Sequence, residues 1–408
     1  MSAADVAVND AATDHETANV PRTLPGATVL QIAPASGDDY ITHSIADVAT
    51  ALLRSGARVI VAGGKGALAN ELQGMGVEYI SFEAASKSRR RRGNAFEELI
   101  ATERIDLIHA RGADAVQSAA AIASQTGAWL VASHVSAGRT DKRDGKTYLQ
   151  ALDHAHRIVV HSHFAAQQLI RRSGFPRERI AVVPRRIDTA TFDPAAVEGD
   201  RVAALRRAWK IRTRERIMLL PGRIDPAKGQ HVIVDAARLL VNGGLHEVVF
   251  VLAGDDRRHP AYAREIAALA AAQGIDSMIR RVGFCPDMPA AYLAADLVIV
   301  PAIEPPTFGR VAAEALAMGR PVVASATGAL PEFILTPPRV AESARIGWLF
   351  NPEDSFDLAR AIADAEATDT ENYRAMSERA RRQAERSFGP THIASAMLGV
   401  YAALLEGR

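Results

Sequence analysis

The feature that most constrains the fold of this chain is an alternation of short apolar runs with helical stretches, which restarts half-way along. In the first half, runs of strand length occupy residues 27–33, 58–62, 105–110, 129–133, 157–161 and 180–183. In the second half they occupy residues 217–220, 248–253, 278–282, 297–300, 321–324 and 348–350. Such alternation predicts parallel sheets covered by helices on both faces. The sequence therefore predicts an α/β chain with two doubly wound, Rossmann-like domains that face each other across a cleft.

The 408 residues are enough for two large domains. We predict a polar, disordered tail over residues 1–24, a first domain over 25–195, a second over 196–388, and a terminal helix in 389–408 that packs back on the first domain. The tail lacks the basic and apolar segments of a secretory signal. No apolar run reaches the roughly 18 residues of a membrane span. The single cysteine, Cys285, permits no intrachain disulfide and fits a reducing cytoplasm.

The loop after the strand at 217–220 carries two cations. Gly222 lets the chain turn sharply, and Arg223 and Lys228 follow in the loop. Ligands of open α/β sheets bind beyond the carboxyl ends of the strands. Two cations at that edge would bind a diphosphate and neutralise it as a leaving group. The alternative is a loop with two solvated cations.

A second segment, residues 301–332, predicts a turn that leads into a helix. Gly309 permits close backbone approach, and the free N–H groups of the helix that follows would attract an anion. Glu314, in the second turn of that helix, could accept hydrogen bonds from both hydroxyls of a ribose. The alternative is an ion pair with Arg310, four residues earlier.

Together these segments resemble the retaining glycosyltransferases of the GT-B fold, family 4. The family motif G-R-x4-K-G is matched from Gly222 to Gly229, and F-G-x4-E is matched by Phe308, Gly309 and Glu314. The resemblance covers the chain from about residue 26 and is strongest in the second half. It implies a hexosyltransferase-like enzyme that uses a nucleotide-sugar donor, needs no cofactor or divalent metal, and transfers to a glycan or lipid-linked acceptor bound by the first domain.

The resemblance also implies roles for single residues. Arg223 and Lys228 would hold the diphosphate, Glu314 the ribose, and the segment from Val282 to Phe284 the base. The remaining residues counted with the donor site are Phe308, Gly309, Arg310 and, as a substitute for a missing glutamate, Glu304.

The chain departs from the family pattern at several positions. The first motif glutamate, which contacts the transferred sugar in the family, is Pro306 here. His134 is retained and is expected near the donor sugar, but the usual glycine after it is Val135. The acceptor-side loop has one glycine instead of two, and the family's N-G-V-D has a bulky cation in place of its glycine. The residues predicted on the acceptor side are Gly37, Asp38, Asp39 and Arg186.

The net charge of +1 argues against a nucleic-acid partner. A basic run formed by Lys87 and Arg89 to Arg92 is either a solvated surface or a docking site for an anionic membrane. Three hypotheses follow. The first is an active glycosyltransferase that works in the cytoplasm at the inner membrane face, in polysaccharide or lipopolysaccharide synthesis. The second is a catalytically degenerate relative that binds a nucleotide sugar or glycan as a scaffold or partner subunit. The third is another GT-B-like enzyme, an epimerase or phosphorylase.

Overall fold

A computed structural model describes residues 23–33, 39–64, 66–81, 103–134 and 142–407. The chain forms two compact units. The first comprises Met1–Val160, Leu169–Val183 and Pro390–Arg408, and the second comprises His161–Gln168 and Pro184–Gly389. Of the predicted tail, only Thr23 and Leu24 are described. Leu24 is buried, and its amide donates to the Ser55 carbonyl at 2.8 Å.

The strands are numbered along the chain, and those of each unit form one parallel sheet. In the first unit they are β1 Thr28–Ile32, β2 Arg58–Gly63, β3 Glu78–Ser81, β4 Leu107–Arg111, β5 Trp129–Ser133, β6 Arg157–Val160 and β7 Ile180–Val182. In the second they are β8 Arg216–Pro221, β9 Val248–Ala253, β10 Ile279–Arg281, β11 Leu297–Val300, β12 Val322–Ser325 and β13 Gly347–Phe350. Two parallel sheets confirm the predicted doubly wound α/β class.

The helices within the described residues cover these sheets. They are α1 Asp39–Arg54, α2 Ala67–Gly74, α3 Ala113–Thr126, α4 Lys142–Asp153, α5 His163–Ser173, α6 Gly199–Ala208, α7 Gln230–Asn242, α8 Pro260–Ala272, α9 Met288–Ala294, α10 Arg310–Ala317, α11 Leu330–Phe333, α12 Ser355–Glu366, α13 Thr370–Phe388 and α14 Pro390–Leu405.

Each sheet has a point where the strand order reverses. The first sheet runs β3-β2-β1-β4-β5-β6-β7 and the second β10-β9-β8-β11-β12-β13. The chain therefore builds outward from β1 or β8 in one direction, and then crosses to β4 or β11 on the other side. Loops at the carboxyl ends diverge at such a switch point and leave a crevice for a ligand. In the second sheet this crevice lies between β8 and β11.

The sheets are buried on both faces, as near-continuous apolar strands require. All five residues of β1 and of β4 are buried. In the first unit the core includes Val29, Leu52 and Leu107 together with Met397 and Tyr401 of α14. Strand β3 was not predicted, because its four residues are at most half-buried at the edge of the sheet.

The segment Thr370–Leu405 contains one 18-residue window that is apolar enough to cross a membrane, with a mean hydropathy of 1.3. The expectation that no segment is long and apolar enough to span a membrane was therefore wrong, when length and composition alone are considered. Half of the window is buried inside the protein. Since α14 contributes Ile393, Met397 and Tyr401 to the core of the first unit, its apolar character is explained by packing.

Candidate functional site

The two loops at the switch point of the second sheet are joined to each other. One follows β8 and holds residues 222–229; the other follows β11 and holds residues 301–309. The backbone N–H groups of Ile303 and Glu304 both donate to the Ala227 carbonyl, at 3.0 and 3.2 Å. The structure thus brings together the two segments that the sequence indicated separately.

The loop after β8 is fixed by its backbone and by one buried amide. Gly229 has φ +72°, and a Cβ atom there would lie 2.0 Å from the Pro301 carbonyl oxygen. The buried side chain of Gln230 donates from Nε2 to the Arg223 carbonyl at 2.9 Å. Asp225 Oδ1 accepts from the Ala227 N–H at 3.0 Å. These contacts define the path of the loop on both sides of its cations.

The side chains of Arg223 and Lys228 are exposed, and neither pairs with a carboxylate among the described residues. Elsewhere in the unit arginine side chains do pair with carboxylates, as Arg201 does with Asp287 at 2.6 Å. Gly222, at φ +132°, places the turn directly after β8. The loop therefore presents two cations that are free to bind an anion.

Helix α10 begins beside this loop without a side-chain cap. Its N-cap residue is Gly309, and no side chain accepts from the first-turn N–H groups. A Cβ atom on Gly309 would lie 2.7 Å from Leu330 Cδ2, so the glycine allows α10 to pack against α11. Uncapped N–H groups and the positive end of the helix dipole favour an anion at this point.

The ring of Phe308 is buried among other phenylalanines. Its centroid lies 5.1 Å from that of Phe333 and 5.7 Å from that of Phe388, both in edge-to-face geometry. The side chain therefore fixes the loop from inside the unit, and only the backbone at Phe308 and Gly309 is left for contact with a donor.

Glu314 is buried and has two protein partners. Its Oε1 lies 3.1 Å from Arg310 Nε, so the predicted ion pair is formed. Its Oε2 accepts from the Tyr292 hydroxyl at 2.9 Å. Burial raises the pKa of the Glu314 carboxyl, and the charge of Arg310 and the Tyr292 hydrogen bond oppose that rise. The role in ribose binding stays a prediction.

The other residues predicted on the donor side lie at the same carboxyl edge of the sheet. Val282 follows β10, and its N–H donates to the Leu252 carbonyl at 3.1 Å. Phe284 is 77% exposed, which is uncommon for a phenylalanine and leaves its face open to a stacked base. Glu304 is exposed, and only its backbone is bound in the loop.

Pro306 occupies the place of the family's first glutamate and is packed by its backbone. Its carbonyl accepts from the Ala329 N–H at 2.8 Å. A Cβ atom on Gly328 would lie 2.5 Å from that carbonyl oxygen and 2.6 Å from the proline nitrogen. The loop is therefore pressed against the turn after β12, and no carboxylate projects from position 306.

Sequence reasoning missed one electrostatic contact near this loop. The Glu332 carboxylate accepts from the N–H groups of His163 and Phe164, at 2.8 and 2.7 Å, and so caps the start of α5. Ser162 Oγ donates to the Thr307 carbonyl at 2.8 Å. The sequence grouped Glu332 with the turn at Gly328, but its partners lie too far away along the chain to be inferred from spacing.

In the first unit, His134 follows β5. Its N–H donates to the Val159 carbonyl at 2.8 Å, and its Nδ1 lies 3.2 Å from the Tyr148 hydroxyl. Burial, and then the charge of Arg172, lowers the pKa of His134 to about 4. The imidazole is therefore neutral near pH 7, when it can act as a hydrogen-bond partner but not as a cation.

The remaining predicted residues are only partly described. Gly37, Asp38 and the basic run at Lys87 and Arg89 to Arg92 lie outside the described residues. Asp39 begins α1. The acceptor-side role of Gly37, Asp38 and Asp39 and the membrane contact of the basic run stay predictions.

Arg186 belongs to the second unit. Its side chain is 11% exposed, and Nη1 lies 3.6 Å from Asp188 Oδ2. Its predicted contact with the acceptor also stays a prediction. Among the described residues, no group of three or more histidine, cysteine, aspartate or glutamate side chains is arranged to hold a metal ion.

Comparisons with known proteins agree with this arrangement. The family model described as "Glycosyl transferases group 1" matches residues 202–383, and the one described as "Glycosyltransferase Family 4" matches residues 41–191. This chain belongs to the family 4 glycosyltransferases. The two matches fall on the second and first halves of the chain, both of which the resemblance covers.

A D-inositol 3-phosphate glycosyltransferase of Mycolicibacterium vanbaalenii is 34% identical over 267 residues, which cover 62% of this chain and 54% of the relative. The chain thus spans about half the length of the curated relatives it matches. A crystal structure of a glycosyltransferase from Rickettsia africae superposes with a TM-score of 0.78 at 23% identity and covers 94% of this chain and 100% of its own. Anabaena HepE in complex with UDP-glucose gives a TM-score of 0.70 at 20% identity, with 92% and 99% covered. These structures confirm the GT-B fold.

Proposed function

We propose that this chain transfers a sugar from a nucleoside-diphosphate donor to a glycan or lipid-linked acceptor, with retention of configuration. One observation supports this most strongly. Arg223 and Lys228 are exposed without carboxylate partners, in a loop joined to the one that leads into the uncapped helix α10. Two cations and a helix N-terminus at a sheet switch point form a site for a diphosphate.

The same groups would supply the catalysis. As the bond between the sugar and the diphosphate breaks, negative charge grows on the leaving phosphate. Arg223, Lys228 and the first N–H groups of α10 would stabilise that charge, because the backbone of the loop and of the helix that carry them is in place before the reaction begins. The acceptor hydroxyl would attack on the same face, and a leaving phosphate oxygen would take its proton. This scheme requires positioning and charge stabilisation, but no enzyme nucleophile and no divalent metal.

The relatives suggest which substrates to try first. HepE has been crystallised with UDP-glucose, and the curated relatives are named for D-inositol 3-phosphate. We therefore propose UDP-glucose as the first donor. The acceptors to be tested should include an inositol phosphate as well as lipid-linked and polysaccharide acceptors. We propose that the acceptor binds to the first unit.

Pro306 favours a second candidate, a nucleotide-sugar-binding protein that has lost turnover. In the family, a carboxylate at this position contacts the transferred sugar, and here its place is taken by a proline ring packed beside Gly328. Loss of that contact would weaken sugar recognition before it weakened diphosphate binding.

Thermal-shift measurements with UDP, GDP and ADP, and with their sugars, test both candidates. We expect one of these nucleotides to stabilise the protein, and its sugar donor to release nucleoside diphosphate in the presence of an acceptor, also in excess EDTA. Arg223→Ala and Lys228→Ala should each reduce both signals. Arg214→Ala is the matched control, because it removes an exposed cation at the amino end of the same strand. Stabilisation without turnover on any acceptor supports the second candidate, and no stabilisation by any nucleotide contradicts both.

We also propose that the protein acts in the cytoplasm, at the inner face of the membrane. The support is the basic run of Lys87 and Arg89 to Arg92, at about 1 kcal/mol per basic residue near an anionic surface. The fraction of protein that sediments with phosphatidylglycerol vesicles should fall when these five residues are changed to glutamine. An unchanged fraction would exclude this run as the membrane-binding segment.

A further inference from the structure

A fully buried tyrosine is hydrogen-bonded to the carboxylate of Glu314. Tyr292 is 0% exposed on the short helix α9, and its ring packs edge-to-face on Phe192 with centroids 6.0 Å apart. Its hydroxyl donates to Glu314 Oε2 at 2.9 Å, while the Val311 carbonyl is further away at 3.4 Å. The single hydroxyl proton is therefore directed at the carboxylate.

The second partner of Glu314 is different in kind. Arg310 is 59% exposed at its side chain and reaches the other carboxylate oxygen from the surface. An exposed arginine can move when a ligand arrives, whereas a buried tyrosine held by its ring cannot. Of the two partners, Tyr292 is thus the one that fixes the direction of the carboxylate.

Counting the lone pairs of the Glu314 carboxylate shows how many acceptor sites its protein partners leave free for a ligand. An ionised carboxylate has about four acceptor sites, two on each oxygen. Tyr292 uses one site on Oε2, and Arg310 approaches Oε1 to 3.1 Å as an ion pair. A free site therefore remains on each oxygen, as is needed to accept from two neighbouring hydroxyls.

We propose that Tyr292 is a positioning residue for the donor: its hydroxyl orients Glu314 so that the two free acceptor sites meet the two hydroxyls of the donor ribose. This inference rests on the proposed nucleotide-sugar function and adds a residue to it. Tyr292 itself touches no ligand, because it has no exposed surface.

Tyr292→Phe tests the proposal, since it removes the hydroxyl and keeps the ring. Affinities of UDP, GDP and ADP, each beside its 2′-deoxy counterpart, are measured by calorimetry on the wild type and the variant. For the nucleotide that binds, we expect the variant to lose on the order of tenfold in affinity, the typical effect of a hydrogen bond to a charged group. Its 2′-deoxy counterpart should lose much less, so the preference for ribose should fall.

Tyr373→Phe is the matched control. Its hydroxyl donates to the Asp296 carbonyl at 2.5 Å in the same unit and not to Glu314, so the ribose preference should not change. Glu314→Gln should reproduce the loss of preference, and serves as a second variant should Tyr292→Phe not fold.

The outcomes separate this inference from the function on which it rests. Failure of the folded wild type to bind any of the nucleotides would remove the proposed function. Normal binding by the wild type, with an unchanged ribose preference in Tyr292→Phe, would overturn the role of Tyr292 and leave the proposed function standing. An unchanged preference in Glu314→Gln as well would overturn the ribose contact of Glu314 too. Equal losses for ribo- and deoxyribonucleotides would also overturn it, because they would show a general structural effect.

Discussion

The close approach of Gly229 to Pro301 allows a quantitative test of how the cationic loop is held. A Cβ atom at Gly229 would lie 2.0 Å from the Pro301 carbonyl oxygen, and φ is +72°. Gly274 has nearly the same backbone, with φ +67°, but no atom lies within 4 Å of its would-be Cβ. Gly229→Ala and Gly274→Ala therefore share the left-handed backbone penalty and differ only in the steric contact.

The expected effects follow from this difference. An alanine in the left-handed region costs about 1–2 kcal/mol. The contact at Gly229 adds an overpacking cost of about 1–3 kcal/mol, because the opposing atom belongs to the backbone and cannot rotate away. With roughly 2–4 °C of Tm per kcal/mol in a unit of this size, Gly274→Ala should lower Tm by about 2–8 °C, and Gly229→Ala should lower it further by about 2–12 °C.

The assay pairs thermal unfolding with nucleotide binding. The β8 loop can relieve the contact only by moving away from Pro301, which displaces Lys228 and Arg223. Gly229→Ala should therefore also lose affinity for the stabilising nucleotide, whereas Gly274→Ala should bind it normally. Equal Tm losses in the two variants, with binding intact in both, would refute the argument that this approach holds the loop in place.

Three further predictions concern single side chains. His134 has a pKa of about 4 in the folded protein, against about 6.5 in the unfolded chain. Its contribution to the free energy of unfolding is therefore complete above about pH 6.5 and falls by about 3 kcal/mol as the pH drops to 4. In urea unfolding across that pH range, the free energy of unfolding of His134→Gln should fall less than that of the wild type. Glu332→Gln weakens the cap of α5 and should cost about 1 kcal/mol in unfolding, whereas the exposed carboxylate in Glu342→Gln should cost less. Pro306→Glu should raise sugar transfer or donor-sugar affinity with little change in nucleoside-diphosphate affinity; a large loss of nucleotide binding would contradict the separation of the two contacts.

The sequence predicted the sheets well, because buried parallel strands are apolar along their whole length. Three strands, Trp129–Ser133, Val248–Ala253 and Leu297–Val300, have the predicted bounds. The helix Thr370–Phe388 was not assigned. Only Met376, Ala380, Ala384 and Phe388 are buried along it, which leaves a narrow stripe with a weak apolar pattern. Edge strand β3 was missed for a related reason, since exposure removes the apolar run that marks a strand.

The candidate site was predictable where it depends on short segments. Gly222, Arg223 and Lys228 follow one strand, Gly309 and Glu314 lie near the next, and both strands end at the same edge of the sheet. Contacts between distant segments were not predictable. Neither the hydrogen bond of Tyr292 to Glu314 nor the cap that Glu332 supplies leaves a pattern in the local sequence, because each depends on how two elements pack.

The structure gives a physical reason to treat nucleotide binding and sugar transfer as separate properties. The loop backbone at Arg223 and Lys228 and the carboxylate of Glu314 are held by contacts that do not involve the side chain of Pro306. The proline contacts the turn at Gly328 through its ring and backbone, so the loop keeps its path although the family's carboxylate is absent. The proposed diphosphate site could therefore persist without the sugar contact that the resemblance implies for this position. For this chain, the ratio of turnover to nucleotide affinity distinguishes an enzyme from a binding protein, and affinity alone does not.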